Sequence, residues 1–302
     1  IGSKVIEKLC VDHDIICVDS KEDYNVLEKS ELEKLHKWRT RNWKNKIQLI
    51  HGDILNRDVC LQAFRRNPDV VIHLASTTDA ASSIKFKKEV FRNNLNCFNN
   101  VLKFCIKNKI KLIHISSTSI YGSQDSFVDE SCKDLFPQSP YAEVKLIEEK
   151  KLKKSNKNFK FISLRFGTIA GPSSGMRFHT AVNKFCLNAA LDNDIAVYKT
   201  ALNQYRPYLS LKDAFKVFKF TIENDVFKND IYNALSENCT VKQIIKKIKK
   251  FKKRLKIKFV NSKIMNQLSY HVDKRKLDKE GLNLNSKIAD DIKDTMKLLK
   301  NI

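Results

Sequence analysis

The sequence predicts an α/β protein in which a doubly wound parallel sheet carries a smaller α/β lobe. Three observations point there. Over the first half, helical stretches alternate with short β-branched apolar runs, the pattern of parallel βαβ units. Two of these runs, Val70-Val71-Ile72 and Leu112-Ile113, are apolar without interruption, as strands buried on both faces must be. After Phe166 the alternation breaks down, which marks a change of architecture.

In chain order, Gly2 opens a helix that includes Lys4–Leu9, and a strand follows over Asp14–Val18. Further strands are expected at Lys46–His51, Val70–Leu74, Lys111–Ser116 and Phe159–Leu164. The clearest helices between them are Lys87–Lys107 and Pro140–Lys153. Pro140 suits a helix start, where its missing N–H costs nothing. Past Phe166, a loop with Gly171-Pro172 and Gly175 leads to a helix near Thr180–Ala190 and a strand at Ile195–Tyr198. A strand near Arg206–Leu209 and a helix from Lys212 to about Glu223 come next. Thr240, followed three residues later by Gln243, reads as a capping box. It opens a basic helix in which Val241, Ile244, Ile245, Ile248, Phe251 and Leu255 share one face, so the lysines from Lys246 to Lys258 take the solvated side. A strand is expected after it. Residues 1–167 are expected to form the nucleotide-binding domain and 168–302 mainly the smaller lobe, with about 202–225 packing back on the first domain. Ligands of such sheets bind at the carboxyl ends of the strands, so the site is expected between the two.

Composition narrows the function classes. The chain has 302 residues, 42% hydrophobic and 30% charged, and its 7 Gly and 5 Pro leave little room for flexible linkers. No apolar run approaches the roughly 20 residues that span a bilayer, and Ile1-Gly2-Ser3-Lys4 does not read as a signal peptide. A soluble, cytoplasmic protein is expected. Its eight cysteines (Cys10, Cys17, Cys60, Cys97, Cys105, Cys132, Cys186, Cys239) lack the spacing of a zinc or redox motif and read as reduced thiols. The histidines show no ligand pattern, so no metal is expected. The net charge of +23 raises nucleic acid or an acidic membrane as partners. Its densest part lies on the solvated face of an amphipathic helix, however, and no specific nucleic-acid surface is expected.

Around the expected crevice lie residues that suit a dinucleotide. Asp19 ends the second strand of the pattern, where an acidic residue accepts the adenine-ribose hydroxyls of NAD. The glycine turn that should precede it by about 20 residues is represented here by Gly2 alone, and the sequence is expected to begin inside that fingerprint. Asp53 and Ile54, after the next strand, are placed to meet the adenine. Ala75 ends the strand after that, where a small residue lets the cofactor pass closely. Asn93 sits on a helix facing the same crevice. Tyr141 and Lys145, four residues apart on a helix, share a face. The ammonium there is expected to stabilise the phenolate and lower the pKa of Tyr141, preparing it to take a proton from a sugar hydroxyl.

Upstream of that pair the chain reads Ile113-His114-Ile115-Ser116-Ser117-Thr118-Ser119-Ile120-Tyr121-Gly122. A strand ending in Ser-Ser, then Tyr-Gly, then Pro-Tyr-x-x-x-Lys, resembles the extended short-chain dehydrogenase/reductase family of NAD-dependent nucleotide-sugar epimerases and dehydratases. The resemblance runs over nearly the whole chain, including Tyr270-His271-Val272-Asp273-Lys274-Arg275-Lys276-Leu277 near its end. It implies a Rossmann-type fold, NAD as cofactor, a nucleotide-diphosphate sugar as substrate, and a homodimer formed through helices near Lys87–Lys107 and Pro140–Lys153. It also implies that Ser117 hydrogen-bonds the reacting oxygen beside Tyr141 and Lys145. Thr168 stands where the family commonly carries a substrate-contacting Asn, Arg177 and Asn183 fall where it meets the nucleotide, and Arg206 matches an arginine on the diphosphate. An arginine's planar fork suits that task.

The resemblance also separates reactions. The family's 4,6-dehydratases carry an Asp-Glu pair directly after the hydroxyl residue, and this sequence has Thr118-Ser119. Epimerisation at C4 through a transient 4-keto sugar is therefore favoured. The alternative on the same scaffold is a reductase or dehydrogenase that releases its product. A hypothesis of another class is a non-catalytic dinucleotide-binding regulator, against which the retained Ser117, Tyr141 and Lys145 argue.

Overall fold

The computed structural model describes residues 1–20, 30, 34, 40–41, 43, 45–78, 82–155, 159–173, 175–261 and 269–300. A helix at Gly2–Leu9 precedes β1 (Ile16–Asp19), and β2 (Gln48–His51) lies parallel to it with Ile16 opposite Gln48. The helix Arg57–Phe64 leads to β3 (Val70–His73), and the long helix Lys87–Asn108 to β4 (Lys111–Ser117). A short β5 (Phe127–Val128), the helix Pro140–Ser155, β6 (Phe161–Phe166) and β7 (Thr168–Ala170) follow. The remaining elements are the helix Ala181–Ala190, β8 (Ile195–Tyr198), β9 (Tyr205–Ser210), the helix Leu211–Glu223, β10 (Asp230–Ala234), β11 (Glu237–Thr240), the helix Val241–Lys249, β12 (Ile257–Val260), β13 (His271–Val272), and the helices Arg275–Lys279 and Ile288–Leu299.

The central sheet runs parallel in the order β10-β6-β4-β3, and β1-β2 forms a second parallel ladder across the cleft from it. Both faces of the central sheet are covered, which is what doubly wound means in packing terms. On one face, Phe98, Val101, Leu102 and Cys105 of the helix Lys87–Asn108 meet Leu112 of β4 and Phe161 of β6. On the other, Val5 and Leu9 join Ala214, Val217 and Phe218 over Ile113, Ile115, Ile162 and Leu164. Adjacent residues of β4 thus serve opposite layers. Each such buried side chain contributes about 1.5–3 kcal/mol. The helix Lys87–Asn108 buries Val90, Asn94, Cys97, Phe98, Val101 and Cys105 at helical spacing, and it stops where Lys109 turns left-handed at φ 55°.

A third cluster builds the lobe. Val182, Cys186, Val197, Ile244, Ile248, Ile292 and Met296 pack the helices Ala181–Ala190, Val241–Lys249 and Ile288–Leu299 onto β8 and β9. There β7 pairs parallel and β11 antiparallel with β9, and β12 pairs parallel with β8.

The short strands β5, β7, β11 and β13 were not expected from the sequence, and three further elements differ from it. β6 runs two residues later than Phe159–Leu164, because its ladder with β4 extends from Leu112 opposite Phe161 to Ser117 opposite Phe166. The strand β10 was not anticipated: Tyr232 and Asn233 interrupt its apolar character, yet it pairs with β6 along its whole length. The basic helix has the capping box, with Thr240 Oγ1 accepting from the Gln243 N–H at 3.1 Å and Gln243 Oε1 accepting from the Thr240 N–H at 2.8 Å. It nevertheless ends at Lys249. Phe251 lies past its end and is 37% exposed, while Leu255 reaches the lobe core from the following turn. The chain leaves the helix early because Ile257 must start the pairing with β8.

Candidate active site

The carboxyl ends of β1, β3 and β4 open on one cleft of about 2380 Å³, which also reaches into the lobe. Its lining includes Gly2, Asp19, Asp53, Ile54, Ala75, Asn93, Ser117, Tyr141, Lys145, Thr168, Arg177, Asn183 and Arg206, so every residue singled out from the sequence faces the same space.

Tyr141 is the second residue of the helix Pro140–Ser155. Ser139 closes that helix start: its Oγ accepts from the Ala142 N–H at 3.2 Å, and its carbonyl accepts from the Glu143 N–H at 2.9 Å. One turn on, the Lys145 ammonium lies 5.9 Å from the centre of the Tyr141 ring. It is turned toward Glu148, whose Oε2 it meets at 2.8 Å. The same oxygen lies 2.9 Å from His114 Nε2, and His114 Nδ1 lies 2.9 Å from Ser163 Oγ. Ser117 ends β4 in extended backbone, with its Oγ 2.8 Å from Ser119 Oγ and accepting from the Ser119 N–H at 3.2 Å. Its hydroxyl lies near enough to Tyr141 to favour the phenolate.

The electrostatics of this group depart from the sequence expectation. Tyr141 is raised above the ordinary tyrosine value, not lowered. Burial raises it most; Lys145, Ser117 and Arg177 pull it down, but Glu148 pushes it up again, and the net direction is upward. Burial would also raise the Glu148 carboxyl, yet Lys145 and His114 overcome this and hold it at about 2. Lys145 would fall on burial and is raised instead by Glu148. His114 and His73 are both lowered by burial, His73 to about 3, so both rings are neutral. Neutral His114 then donates from Nε2 to Glu148 and accepts at Nδ1 from the Ser163 hydroxyl.

The remaining expected residues stand around this centre. Arg177 donates to Thr78 Oγ1 and is braced through its carbonyl by Asn183 Nδ2 at 3.0 Å. Thr168 opens β7 opposite Tyr208, and Arg206 lies on β9 beside it. Asn93 donates to Thr77 Oγ1 at 3.2 Å, which fixes it at the β3 end of the cleft. Asp53 Oδ1 accepts from the Leu55 N–H at 2.8 Å. The Ile54 carbonyl takes Cys60 Sγ at 3.0 Å and Asn100 Nδ2 at 3.1 Å, so its backbone oxygen is already engaged.

A dinucleotide fits these residues on one structural ground in particular. Ser76 Oγ, after β3 on the cleft lining, is buried with no hydrogen-bond partner, and the neighbouring Ala75 is exposed to the cleft with only a methyl group. Asp19 and Asp53 supply acceptors at one end of the cleft, and Ser117, Tyr141 and Lys145 supply the chemistry at the other. Among the described residues, no group of three or more His, Cys, Asp or Glu could hold a metal ion, and no helix is long and apolar enough to cross a membrane.

Sequence reasoning missed the charges behind the site. Glu148 extends the face begun by Tyr141 and Lys145, at i+7 from Tyr141, and that spacing was a usable signal. His114 left none, being a single polar residue inside an apolar strand. A second buried network was also missed. Arg165 grips Glu149 through Nε at 3.0 Å and Nη2 at 2.8 Å, Ser116 donates to Glu149 Oε1 at 2.6 Å, and Arg165 Nη1 donates to Tyr121 Oη at 2.8 Å. Tyr121 itself donates to Asn233 of β10 at 2.9 Å. Gly122 follows at φ +72°, where a Cβ would strike the Phe136 carbonyl oxygen at 2.1 Å. The Tyr-Gly pair is thus a packed corner.

Comparison with known proteins agrees with this architecture. The sequence family described as "NAD dependent epimerase/dehydratase family" matches residues 1–234. An ADP-L-glycero-D-manno-heptose-6-epimerase from Brachyspira hyodysenteriae is 25% identical over 271 residues, 86% of this chain and 80% of that one. A UDP-glucose 4-epimerase from Streptococcus mutans is 34% identical over 125 residues, 40% of this chain and 38% of that one. The crystal structure of a UDP-glucuronic acid 4-epimerase from Bacillus cereus, in complex with UDP-glucuronic acid and NAD, is similar with a TM-score of 0.87 at 22% identity, covering 100% of this chain and 96% of that chain.

Proposed function

The chain belongs to the NAD-dependent epimerase/dehydratase family, and from that premise we propose that it epimerises a nucleotide-diphosphate sugar at C4 through a transient 4-keto form. The observation that carries this reading is the set Ser117, Tyr141 and Lys145 on one cleft, with no carboxylate beside Ser117. Thr118 is 2% exposed and donates to the Phe166 carbonyl at 3.2 Å, and Ser119 is tied to Ser117. Neither can give or take a proton in eliminating water. Glu148 sits behind Lys145, bound to it and to His114, and serves no better.

In the proposed reaction NAD supplies the hydride acceptor and donor at the sugar carbon. Tyr141 takes the proton of the 4-hydroxyl as that carbon is oxidised and returns it after the keto sugar has turned over. Ser117 holds the reacting oxygen, and Lys145 steadies the phenolate. Arg206 and Arg177 neutralise the diphosphate, with Asn183 and Thr168 beside the nucleotide and sugar. Gly2, Asp19, Asp53, Ile54, Ala75 and Asn93 line the part that binds the cofactor. The same reading gives residues 1–167 mainly to the cofactor and 168–302 mainly to the sugar, with about 202–225 packing back on the first domain, supported by Ala214, Val217 and Phe218 on the central sheet, which Asp230–Ala234 also joins. A UDP-glucose 4-epimerase similar over 40% of this chain supports the choice of C4, while the relative that covers 86% of it is named a 6-epimerase.

We also infer a cytoplasmic homodimer. All eight cysteines are free thiols, as in a reducing compartment. Phe86, 57% exposed, and Ile84, 37% exposed, stand at the start of the helix Lys87–Asn108, where a second copy would cover them.

The test is incubation with nucleotide-activated hexoses such as UDP-glucose, without added NAD(H). The expected outcome is a mixture of C4 epimers with no net change in nicotinamide absorbance. Release of an oxidised or reduced sugar with a lasting absorbance change would assign the chain to the dehydrogenase or reductase reading instead. Tyr141→Phe is expected to stop turnover in either case, and a variant that turns over normally would show that Tyr141 does not carry the proton.

A further inference from the structure

We propose that the outer corner of the lobe, where the helix Val241–Lys249 runs into β12, is a peripheral docking surface for an anionic phospholipid bilayer. The helix itself does not supply the apolar part of this surface, because Val241, Ile244, Ile245 and Ile248 pack in the lobe core. What faces outward is charge, with three apolar side chains that the core does not take. Lys249 and Lys250 close the helix, and Lys253, Arg254, Lys256 and Lys258 carry the positive charge through the turn into β12, all of them exposed. The neighbouring Lys247 and Lys252 form ion pairs with Glu237 and Asp192, whereas none of the exposed six has an ion-pair partner among the described residues.

The fold adds the apolar groups. Leu191, Phe251 and Phe259 are 53%, 37% and 51% exposed. Leu191 precedes Asp192, whose carboxylate takes the Lys252 ammonium at 2.6 Å, and Lys252 follows Phe251. One ion pair thus ties the end of the helix Ala181–Ala190 to the turn after the helix Val241–Lys249. The Ile195 N–H donates to the Lys256 carbonyl at 2.7 Å, which starts β12 alongside β8, and Phe259 stands about 7 Å beyond Ile257 at the usual rise of a strand. Single exposed apolar side chains need no explanation, but three gathered among cations do.

Charge and side-chain type decide between occupants. A second copy would set the same cations face to face, since a two-fold contact pairs a patch with itself. The cations are lysines except for Arg254, and lysine lacks the planar fork that grips phosphate bidentately in nucleic-acid recognition. Leu191 offers no ring on which a base could stack. An anionic bilayer uses both parts: its surface potential draws the lysines, and Leu and Phe side chains bury at the acyl boundary. The acids at this corner are Asp192, held by Lys252, and Asp194, too few to cancel the attraction. Tyr198, at the end of β8 opposite Val260 of β12, lines the substrate cleft, so a bilayer bound here would lie beside that cleft.

The test is co-sedimentation of the whole chain with vesicles of equal parts phosphatidylglycerol and phosphatidylcholine, against vesicles of phosphatidylcholine alone. Binding is expected to the first and not to the second, with release at high salt. A net charge of +23 attracts anionic surfaces without any site, so the variants must separate position from charge. Lys250→Glu/Lys253→Glu/Lys258→Glu is expected to lower the partition coefficient by about a hundredfold or more, each lysine near such a surface contributing about fivefold. The same exchange at Lys107, Lys133 and Lys160, exposed lysines outside the lobe, is expected to lower it by less than about tenfold. Phe251→Ser/Phe259→Ser keeps every charge and is expected to lower it about tenfold. Urea midpoints establish that the variants fold. Equal loss in the two lysine triples would show attraction to net charge alone, and an unchanged partition in the Phe variant would show that nothing apolar inserts; either result overturns the proposal. So does a wild type that fails to distinguish the two vesicles, a comparison that needs no variant. If mixed-sequence RNA or polyglutamate binds more tightly than the vesicles at the same salt and is lost with the lobe lysines, the surface takes a different partner and the proposal fails.

Discussion

Glu148 and Glu149 are neighbours on one helix, and they face two buried networks that are built differently. Around Glu149 every group is used: both oxygens take Arg165, one also takes Ser116, and Arg165 continues to Tyr121, which continues to Asn233. Five segments of the central domain meet there, and nothing in the chain of bonds is left over. Around Glu148, one oxygen carries both Lys145 and His114, while the other oxygen and His73 Nε2 have no partner. A buried network that is complete fixes structure, because its charges are spent on each other. One that is incomplete leaves a field that a nearby reacting group feels. The first joins the helix to β4, β6 and β10; the second lies behind Tyr141.

Breaking the complete network should cost the most. Glu149→Gln leaves the Arg165 guanidinium buried, at 4% side-chain exposure, without its carboxylate. The expected loss of stability is about 3–5 kcal/mol, measured by urea unfolding, with activity falling only as the folded fraction falls. A variant as stable as the wild type would erase the distinction drawn between the two networks. The next effect belongs to the incomplete side and should appear in rate instead. Ser117→Ala removes the hydroxyl that bonds Ser119 beside Tyr141, and is expected to lower kcat about 10²-fold while the unfolding midpoint in urea stays within the error of the wild type.

How much of this was legible in the sequence follows from what a pattern can carry. Strands buried on both faces wrote themselves as apolar runs, so β3 and β4 were found almost to the residue, whereas β10 was hidden by Tyr232 and Asn233. Both polar groups there are satisfied inside the fold, Asn233 by Tyr121 and by the Asp273 carbonyl, Tyr232 by Glu280. Pattern reading scores polarity and has no access to such partners. The site shows the same division. Ser117, Tyr141 and Lys145 were legible because their spacing is local, and the cleft gathers them as expected. The direction of the Tyr141 shift was not, because it is set mainly by burial, which only the fold shows. Lys145 is visible as a cation next to a phenol, but only the fold shows that Glu148, itself bonded by His114, has taken hold of it.

Asp291 sharpens the comparison from the other domain. Like Glu148 it is a buried carboxylate with one oxygen bonded, here by the Ser210 hydroxyl at 3.0 Å, and one oxygen without a partner. Unlike Glu148 it has no cation in contact, so burial wins and its carboxyl is pushed up to about 7, where Glu148 is held at about 2. Geometry alone does not decide the direction of a buried carboxylate; the presence of the ammonium does. The linkage sign is fixed by that shift. A folded-state value above the unfolded one of about 3.9 gives stability that is complete below pH of about 4 and is lost as pH rises through about 7. Asp291→Asn removes the titration, so at pH of about 8 the variant is expected to be more stable than the wild type by about 4 kcal/mol. At pH of about 4 the two should converge, because the wild-type carboxyl is then neutral in the folded protein. Urea midpoints at the two pH values measure the difference. If Asp291→Asn instead lost stability at the higher pH, the carboxylate would have to be ionised and compensated there, and the contrast with Glu148 would fail.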